Sequence, residues 1–227
     1  MSGRRVNAIL DAAARRGITR LCHFTSATNL AKILGEGEIR ATGDLHRSGD
    51  PFRPTDVNRR DGRFSAVCCT VEYPNSWYLA KARDREPNFA DWVVITLDVG
   101  LLALPDVAFC PHNAAKYRGV GVQEGVGGFH AIFEERPPRY RSRWHPPWWP
   151  TEDQAEVLVP GPIPAAAIRA VIVADDGQAE LEHYRLGLLG VARPPLVVAP
   201  DVFDPHKLSA RIRSGRRPHE WEHNVDT

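Results

Sequence analysis

The sequence predicts an α+β domain. Its β-branched and apolar runs are short and lie among helical patterns without the strand, helix, strand alternation of a doubly wound sheet. No GxGxxG follows a predicted strand, which argues against a dehydrogenase-type dinucleotide fold. With 227 residues, 43% hydrophobic and 25% charged, the chain is expected to fold as one domain spanning 1–227, with no internal repeat.

The elements follow in order. Asn7 to Arg15 carries apolar positions at helical spacing and stops at Gly17. Arg20 to Thr25 reads as a strand, and Ser26 is placed to cap a helix from Ala27 to Leu34 that ends near Gly35 to Gly37. Gly43 to Gly62 is polar and rich in Pro, Gly, Asp and Arg, as expected of a loop covering a cleft. Ala66 to Val71 is a strand, Asn75 to Arg83 a helix, and Trp92 to Leu97 a buried strand. Pro111 to Lys116 and Glu124 to Phe133 are weaker helical patterns. The stretch 136–150, RPPRYRSRWHPPWWP, holds five prolines and three tryptophans and is excluded from regular structure. Gln154 to Val159 and Ile168 to Ala174 are strands, Glu180 to Leu189 is a helix, and the polar tail from Pro205, 205–227, is expected to be loose.

Composition narrows the function classes. The opening MSGRRVNAILDAAARRG lacks the continuous apolar core of a secretory signal, and no apolar run approaches a membrane span, so a cytoplasmic protein is expected. Cys22, Cys68, Cys69 and Cys110 lack metal-ligand spacing and read as buried free thiols; no metal is expected. A net charge of +1 rules out binding nucleic acid through the overall field, but arginines cluster at Arg59, Arg60 and Arg63, at Arg136 to Arg143, and at Arg211 to Arg217.

Three separated features carry chemistry: His23 and Thr25 on the first strand, the segment NRRDGR from Asn58 to Arg63, and Glu156 opening the strand QAEVLV. HFTSATNLAKIL, a basic loop and QAEVLVP in that order resemble the DarT family, bacterial toxins that ADP-ribosylate single-stranded DNA; the resemblance runs from about 20 to 174. It implies the ADP-ribosyltransferase fold, two small packed mixed or antiparallel sheets with flanking helices and NAD in the cleft between them. It also implies NAD as substrate, single-stranded DNA as acceptor, and an antitoxin partner that removes ADP-ribose.

By that resemblance Glu156 is the catalytic glutamate, and Arg60, with Arg59 as the adjacent alternative, is the loop arginine near the reacting centre. Cys22, His23 and Phe24 would seat the nicotinamide, and Thr25, Asn29, Ile39, Arg59 and Tyr78 complete the NAD-binding set. Breaking the nicotinamide–ribose bond develops positive charge at the anomeric carbon, so a fixed carboxylate beside the ribose stabilises the transition state.

Each residue also has a plainer reading. A lone strand glutamate is usually a surface residue, a histidine on an apolar strand is usually satisfied in the core, and Arg59 and Arg60 precede an Asp-Gly turn. The aromatic and basic loop supplies what a single-strand reader requires, stacking faces beside guanidinium groups: Arg139, Tyr140, Arg141, Arg143, Trp144, His145, Trp148 and Trp149. Trp148 and Trp149 fit core packing equally well.

The stretch YPNSWY from Tyr73 departs from the pattern of thymine-modifying relatives, which leaves guanine or thymine as the target base. The expected function is mono-ADP-ribosylation of a base in single-stranded DNA by the toxin of a toxin-antitoxin pair. The rivals are the same transfer to RNA or protein, transfer of RNA phosphate to NAD, and a non-catalytic single-strand binding module.

Overall fold

The structure, a computed structural model, describes residues 2–49, 59–86, 88 and 91–223, with side chains from residue 8 onward. Helix α1, Ser2–Arg16, stops at Gly17, whose φ of +74° only glycine adopts without strain. Strand β1 is Arg20–Ser26 and helix α2 is Ala27–Glu36, closed by left-handed Gly37 donating to the Ile33 carbonyl at 3.0 Å. Strand β2, Glu38–Ile39, and helix α3, Thr42–Ser48, lead to β3, Ala66–Val71. Helix α4, Ser76–Arg85, is capped by the Asn75 side chain, which accepts from the Tyr78 N–H at 3.0 Å.

Strand β4, Trp92–Asp98, precedes β5, Ala108–Cys110, a 3₁₀ turn Ala114–Tyr117, β6, Gln123–Glu124, and α5, Gly125–Ala131. Strands β7, Glu156–Pro160, β8, Ile163–Pro164, and β9, Ile168–Val173, then precede α6, Asp176–Leu188. The chain closes with β10, Leu196–Val198, α7, Pro205–Arg213, and β11, Trp221–Glu222.

Nine strands form one sheet in the order β11-β10-β9-β4-β1-β3-β7-β5-β6, with β2 and β8 as a separate ribbon. All neighbours are antiparallel except β9 and β10. The join between β1 and β3 positions the site. Strand β1 pairs with β4 along its whole length, but with β3 only at Leu21↔Val71 and Cys22↔Thr70. From Ala66 to Cys69, β3 pairs with β7 instead. The two sheets the sequence led us to expect are therefore halves of one sheet that part company beyond Cys22, and a fork opens between them.

Strand β4 is buried from Trp92 to Leu97 because both of its faces are covered. Val93, Ile95 and Leu97 join Ile9 and Ala12 of α1, Leu30 of α2, Phe129 of α5 and Leu186 of α6. Trp92 and Val94 join Leu79 of α4 and Leu208 and Ile212 of α7 on the other face. Burying each such large aliphatic contributes about 1.5–3 kcal/mol.

Three expectations are corrected. Within the anticipated Gly43 to Gly62 loop, Gly43 to Ser48 is helical; Gly43 lies so close to Phe64 that an added Cβ would sit 2.8 Å from its carbonyl oxygen. Residues 50–58, including Asn58, lie outside the described residues. Ser26 occupies the cap position of α2 but makes no side-chain cap bond, since its hydroxyl pairs with that of Thr28 at 3.0 Å. From Pro205 to His223 the tail is not loose, and 224–227 lie outside the described residues. Asp204 accepts from the N–H groups of His206 and Lys207 at 3.0 and 3.1 Å to start α7 at Pro205. Glu72, fully buried, accepts hydrogen bonds from Thr19 and the Arg20 N–H, and its ion pair with Arg217 ties the C-terminal segment down.

No described helix is long and apolar enough to cross a membrane. Among the described residues no group of three or more His, Cys, Asp and Glu is arranged to hold a metal, and the four cysteines are free thiols.

Candidate active site

Glu156 opens β7 opposite Cys110 of β5 and is 8% exposed. A carboxylate so placed must be hydrogen-bonded, and the 3₁₀ turn after β5 supplies the donors. Asn113 Nδ2 donates to Glu156 Oε1 at 3.0 Å, and the Ala114 N–H donates to Oε2 at 3.2 Å. The same Asn113 caps the turn, its Oδ1 accepting from the Lys116 N–H at 3.1 Å. That bond fixes which way the amide faces, so its NH₂ is committed to Glu156.

The fork between β1 and β3 forms a cleft enclosing about 1140 Å³ of space, counting its open mouth, with Glu156 on its wall. His23 spans the fork: its Nδ1 donates to the Cys68 carbonyl at 2.8 Å. Burial lowers the His23 pKa; the Cys68 carbonyl works against this and the nearby Arg59 charge adds to it. The ring is therefore neutral at pH 7, with Nδ1 protonated.

Arg59 is 4% exposed and has a φ of +36°. Its Nη1 lies 2.6 Å from the Cys68 sulfur, Nη2 donates to the Arg63 carbonyl, and Nη2 stands 3.1 Å from Asp61 Oδ2. The Asp61 oxygens and Arg59 Nε have no hydrogen-bond partner among the described residues, so this pair meets as charges without hydrogen-bond alignment. Burial opposes the Arg59 charge, yet Cys68, Asp61 and Glu156 together raise its pKa. A lasting positive charge thus faces the same cleft as Glu156.

Every residue of the expected NAD-binding set lines this cleft: Cys22, His23, Phe24, Thr25, Asn29, Ile39, Arg59 and Tyr78. Asn29 Nδ2 donates to Thr25 Oγ1 at 2.9 Å, and Phe24 packs against Tyr78 with ring centroids 6.2 Å apart. Arg60 does not join them. It is exposed and lines a neighbouring groove.

The aromatic and basic loop falls elsewhere: none of its residues lines the cleft or that groove. Arg141 donates to the carbonyls of Trp149 at 2.9 Å and Pro146 at 2.7 Å and to the Thr151 hydroxyl at 3.1 Å, knitting the loop together. His145 is buried with Nε2 3.0 Å from the Pro150 carbonyl, and Trp149 is buried with its indole N–H on Asp153 at 3.0 Å. Trp148 packs edge-on to Tyr73 under the Arg217 guanidinium, and Arg139 is paired with Glu152 at 2.6 Å. Of the expected strand-reading residues, Tyr140, Arg143 and Trp144 remain exposed, with the Arg143 guanidinium over the Trp144 ring at 4.5 Å. A segment without regular structure must satisfy its backbone through side chains, and these do so.

Three lining residues escaped the sequence reading. Asn113 lay inside the weak helical pattern Pro111 to Lys116, although Asn before a turn is a capping signal. Asp61 read as half of an Asp-Gly turn. Asn75 read as a helix start; it is 2% exposed, and its Nδ2 has no hydrogen-bond partner among the described residues. In this largely apolar cleft the rigid carboxylate suits the stabilisation of a developing cation, the permanent cation suits an anionic group such as a phosphate, and the neutral imidazole adds no charge against either.

Comparison with known proteins agrees with this chemistry. The family model described as ssDNA thymidine ADP-ribosyltransferase, DarT, matches residues 22–204. No curated protein matches the chain significantly. Among solved structures, Thermus sp. 2.9 DarT in complex with NAD+ superposes with a TM-score of 0.58 at 18% identity, covering 82% of this chain and 97% of that one. The same protein with ADP-ribosylated ssDNA gives 0.56 at 14% identity, with 82% and 97% covered. Thermosipho africanus DarTG in complex with ADP-ribose gives 0.56 at 15% identity, covering 82% of this chain and 51% of that one. At such identities the structural likeness establishes the fold.

Proposed function

Because this chain belongs to the DarT family of single-stranded DNA thymidine ADP-ribosyltransferases, we propose that Glu156, Arg59 and His23 carry its transfer of ADP-ribose from NAD to a DNA base, and that this makes it a toxin. The observation that carries the assignment is the Glu156 carboxylate, fixed by Asn113 and the Ala114 N–H in the cleft that His23 and Arg59 also line.

Chemistry assigns the parts. The nicotinamide–ribose bond breaks with its electron pair leaving on nicotinamide, and the anomeric carbon becomes electron-poor. Glu156 stabilises that carbon from a position it need not reorganise to reach. A ring nitrogen of the base attacks the same carbon, and as the new C–N bond forms its N–H proton passes to water at the cleft mouth. Arg59 keeps its charge throughout, so it does not act as a base; it supplies positive charge for the pyrophosphate. His23, neutral, helps to seat nicotinamide, with Asn75 Nδ2 as a further donor.

Thymine is the base proposed, following the family's description, and the protein is assigned to the cytoplasm, where single-stranded DNA is exposed during replication. A hydrolase that removes ADP-ribose is proposed as its antitoxin. The deciding experiment is mass spectrometry of a short single-stranded oligonucleotide after incubation with protein and NAD. One added ADP-ribose on thymine is expected, and Glu156→Gln should lower the rate by about 10²–10³-fold. Label on guanine would move the base assignment. Label on RNA or protein alone, or full activity in Glu156→Gln, would overturn the reading.

A further inference from the structure

A second concavity adjoins the Glu156 cleft, and Tyr78, Asn113 and Ala115 line both. Apart from Gln154, the rest of its wall is cationic and aromatic: Arg60, Lys81, Arg85 and Lys116, with Trp77 beside Tyr78. No carboxylate lines it. Trp77, Lys81 and Arg85 stand four residues apart on α4, so they share one helix face over about 12 Å. All four cations are exposed, and none of them is ion-paired among the described residues, whereas Arg63 and Arg139 are paired with Glu124 and Glu152. Trp77 is 36% exposed and anchored by its indole N–H, 3.4 Å from Asp153.

We propose that this groove, and not the tryptophan and proline loop, holds the DNA strand. Phosphates would lie on Arg60, Lys81, Arg85 and Lys116, while bases stack on Trp77 and Tyr78. Cations without carboxylate neighbours attract a polyanion, and aromatic faces take any base. The groove also leads to the chemistry, since Asn113 forms part of its wall and touches Glu156. A strand lying along α4 therefore brings one unpaired base to the cleft mouth without the unstacking a duplex would require. Much of the loop is already engaged within the protein: Arg141 holds the carbonyls of Pro146 and Trp149, Trp149 is bonded to Asp153 and Arg139 is paired with Glu152.

The proposal rests on the reading of the Glu156 cleft, and its test keeps the two apart. Binding of a fluorescein-labelled single-stranded DNA oligonucleotide is measured by anisotropy across a salt series. K81E/R85E and, on two other segments, R60E/K116E should each weaken binding by about tenfold or more. Each lost phosphate contact should flatten the salt slope by about 0.7. K81E/R85E should bind NAD as the unaltered protein does, and R143A/W144A on the loop should bind DNA normally. Undiminished binding by both charge-reversal variants, or an equal loss in R143A/W144A, overturns the groove. Tighter binding of an RNA of the same sequence removes DNA as its occupant. Were Glu156→Gln to modify DNA at full rate while the groove variants lost binding, the cleft reading would fail and the groove would stand.

Discussion

His23 Nδ1 donates to the Cys68 carbonyl at 2.8 Å, just past Cys22↔Thr70, where backbone pairing between β1 and β3 ends. One side chain thus replaces the missing backbone bond at the throat of the fork and sets the width of the cleft. His23→Ala leaves that carbonyl without its donor, at a cost of about 1–3 kcal/mol. Urea unfolding should show this loss, and the KM for NAD should rise because the cleft wall is no longer tied. An unchanged midpoint together with an unchanged KM would show that the bond does not hold the fork.

Asn113 acts through Glu156, as a positioning residue, and two substitutions separate its tasks. Asn113→Ala removes both the turn cap and the donor to Oε1, and kcat should fall roughly 10–100-fold. Asn113→Asp keeps an oxygen for the Lys116 N–H but sets a second carboxylate against the first. Like charges at that separation raise a carboxylate's pKa. The acid limb of the pH–rate profile should therefore move to higher pH in Asn113→Asp while the protein stays folded. A merely structural residue would lower both profiles without shifting the limb.

Much of the site was legible because its residues sit on strands and helices with strong local signals. β1, α2, β3, β4 and β7 were read from apolar runs and from Gly35 to Gly37, and residues on them from Cys22 to Glu156 do meet in one cleft. What stayed hidden depends on contacts far apart in sequence. Nothing local says that Arg217 pairs with Glu72, or that Trp149 is buried while Trp77 is exposed. The choice between Arg59 and Arg60 turned on which of two adjacent side chains is buried in the cleft, which composition does not encode.

These two neighbours give a direct contrast. Arg59→Lys keeps a positive charge but loses the fork that reaches Cys68, the Arg63 carbonyl and Asp61 at once. Turnover should drop by more than tenfold. Arg59→Ala strands a buried Asp61 carboxylate and should destabilise the fold by about 3–5 kcal/mol. Arg60→Ala should instead raise the KM for DNA and leave the KM for NAD alone. Comparing the two KM values for each variant checks the assignment, and a larger NAD effect at Arg60 would reverse it.

Stability should also report His23 and His145. Burial lowers the pKa of His23, and burial with the nearby Arg141 charge lowers that of His145. Between each depressed folded value and the unfolded value near 6.5, the unfolded chain binds protons that the native protein does not. The stability these rings contribute is thus complete above about pH 6.5 and is lost as pH falls through the folded values, with a slope of at most about 1.4 kcal/mol per pH unit for each ring. Glu182, buried and raised, titrates in the opposite sense from about 4.5 upward, so the whole-protein curve alone does not isolate the histidines. His23→Gln does, because glutamine has no proton to gain. Urea unfolding of the unaltered protein and of His23→Gln from pH 7.5 to 5 should show curves that converge as the pH falls, the variant having less to lose. Parallel curves would mean that His23 titrates alike in the folded and unfolded chains.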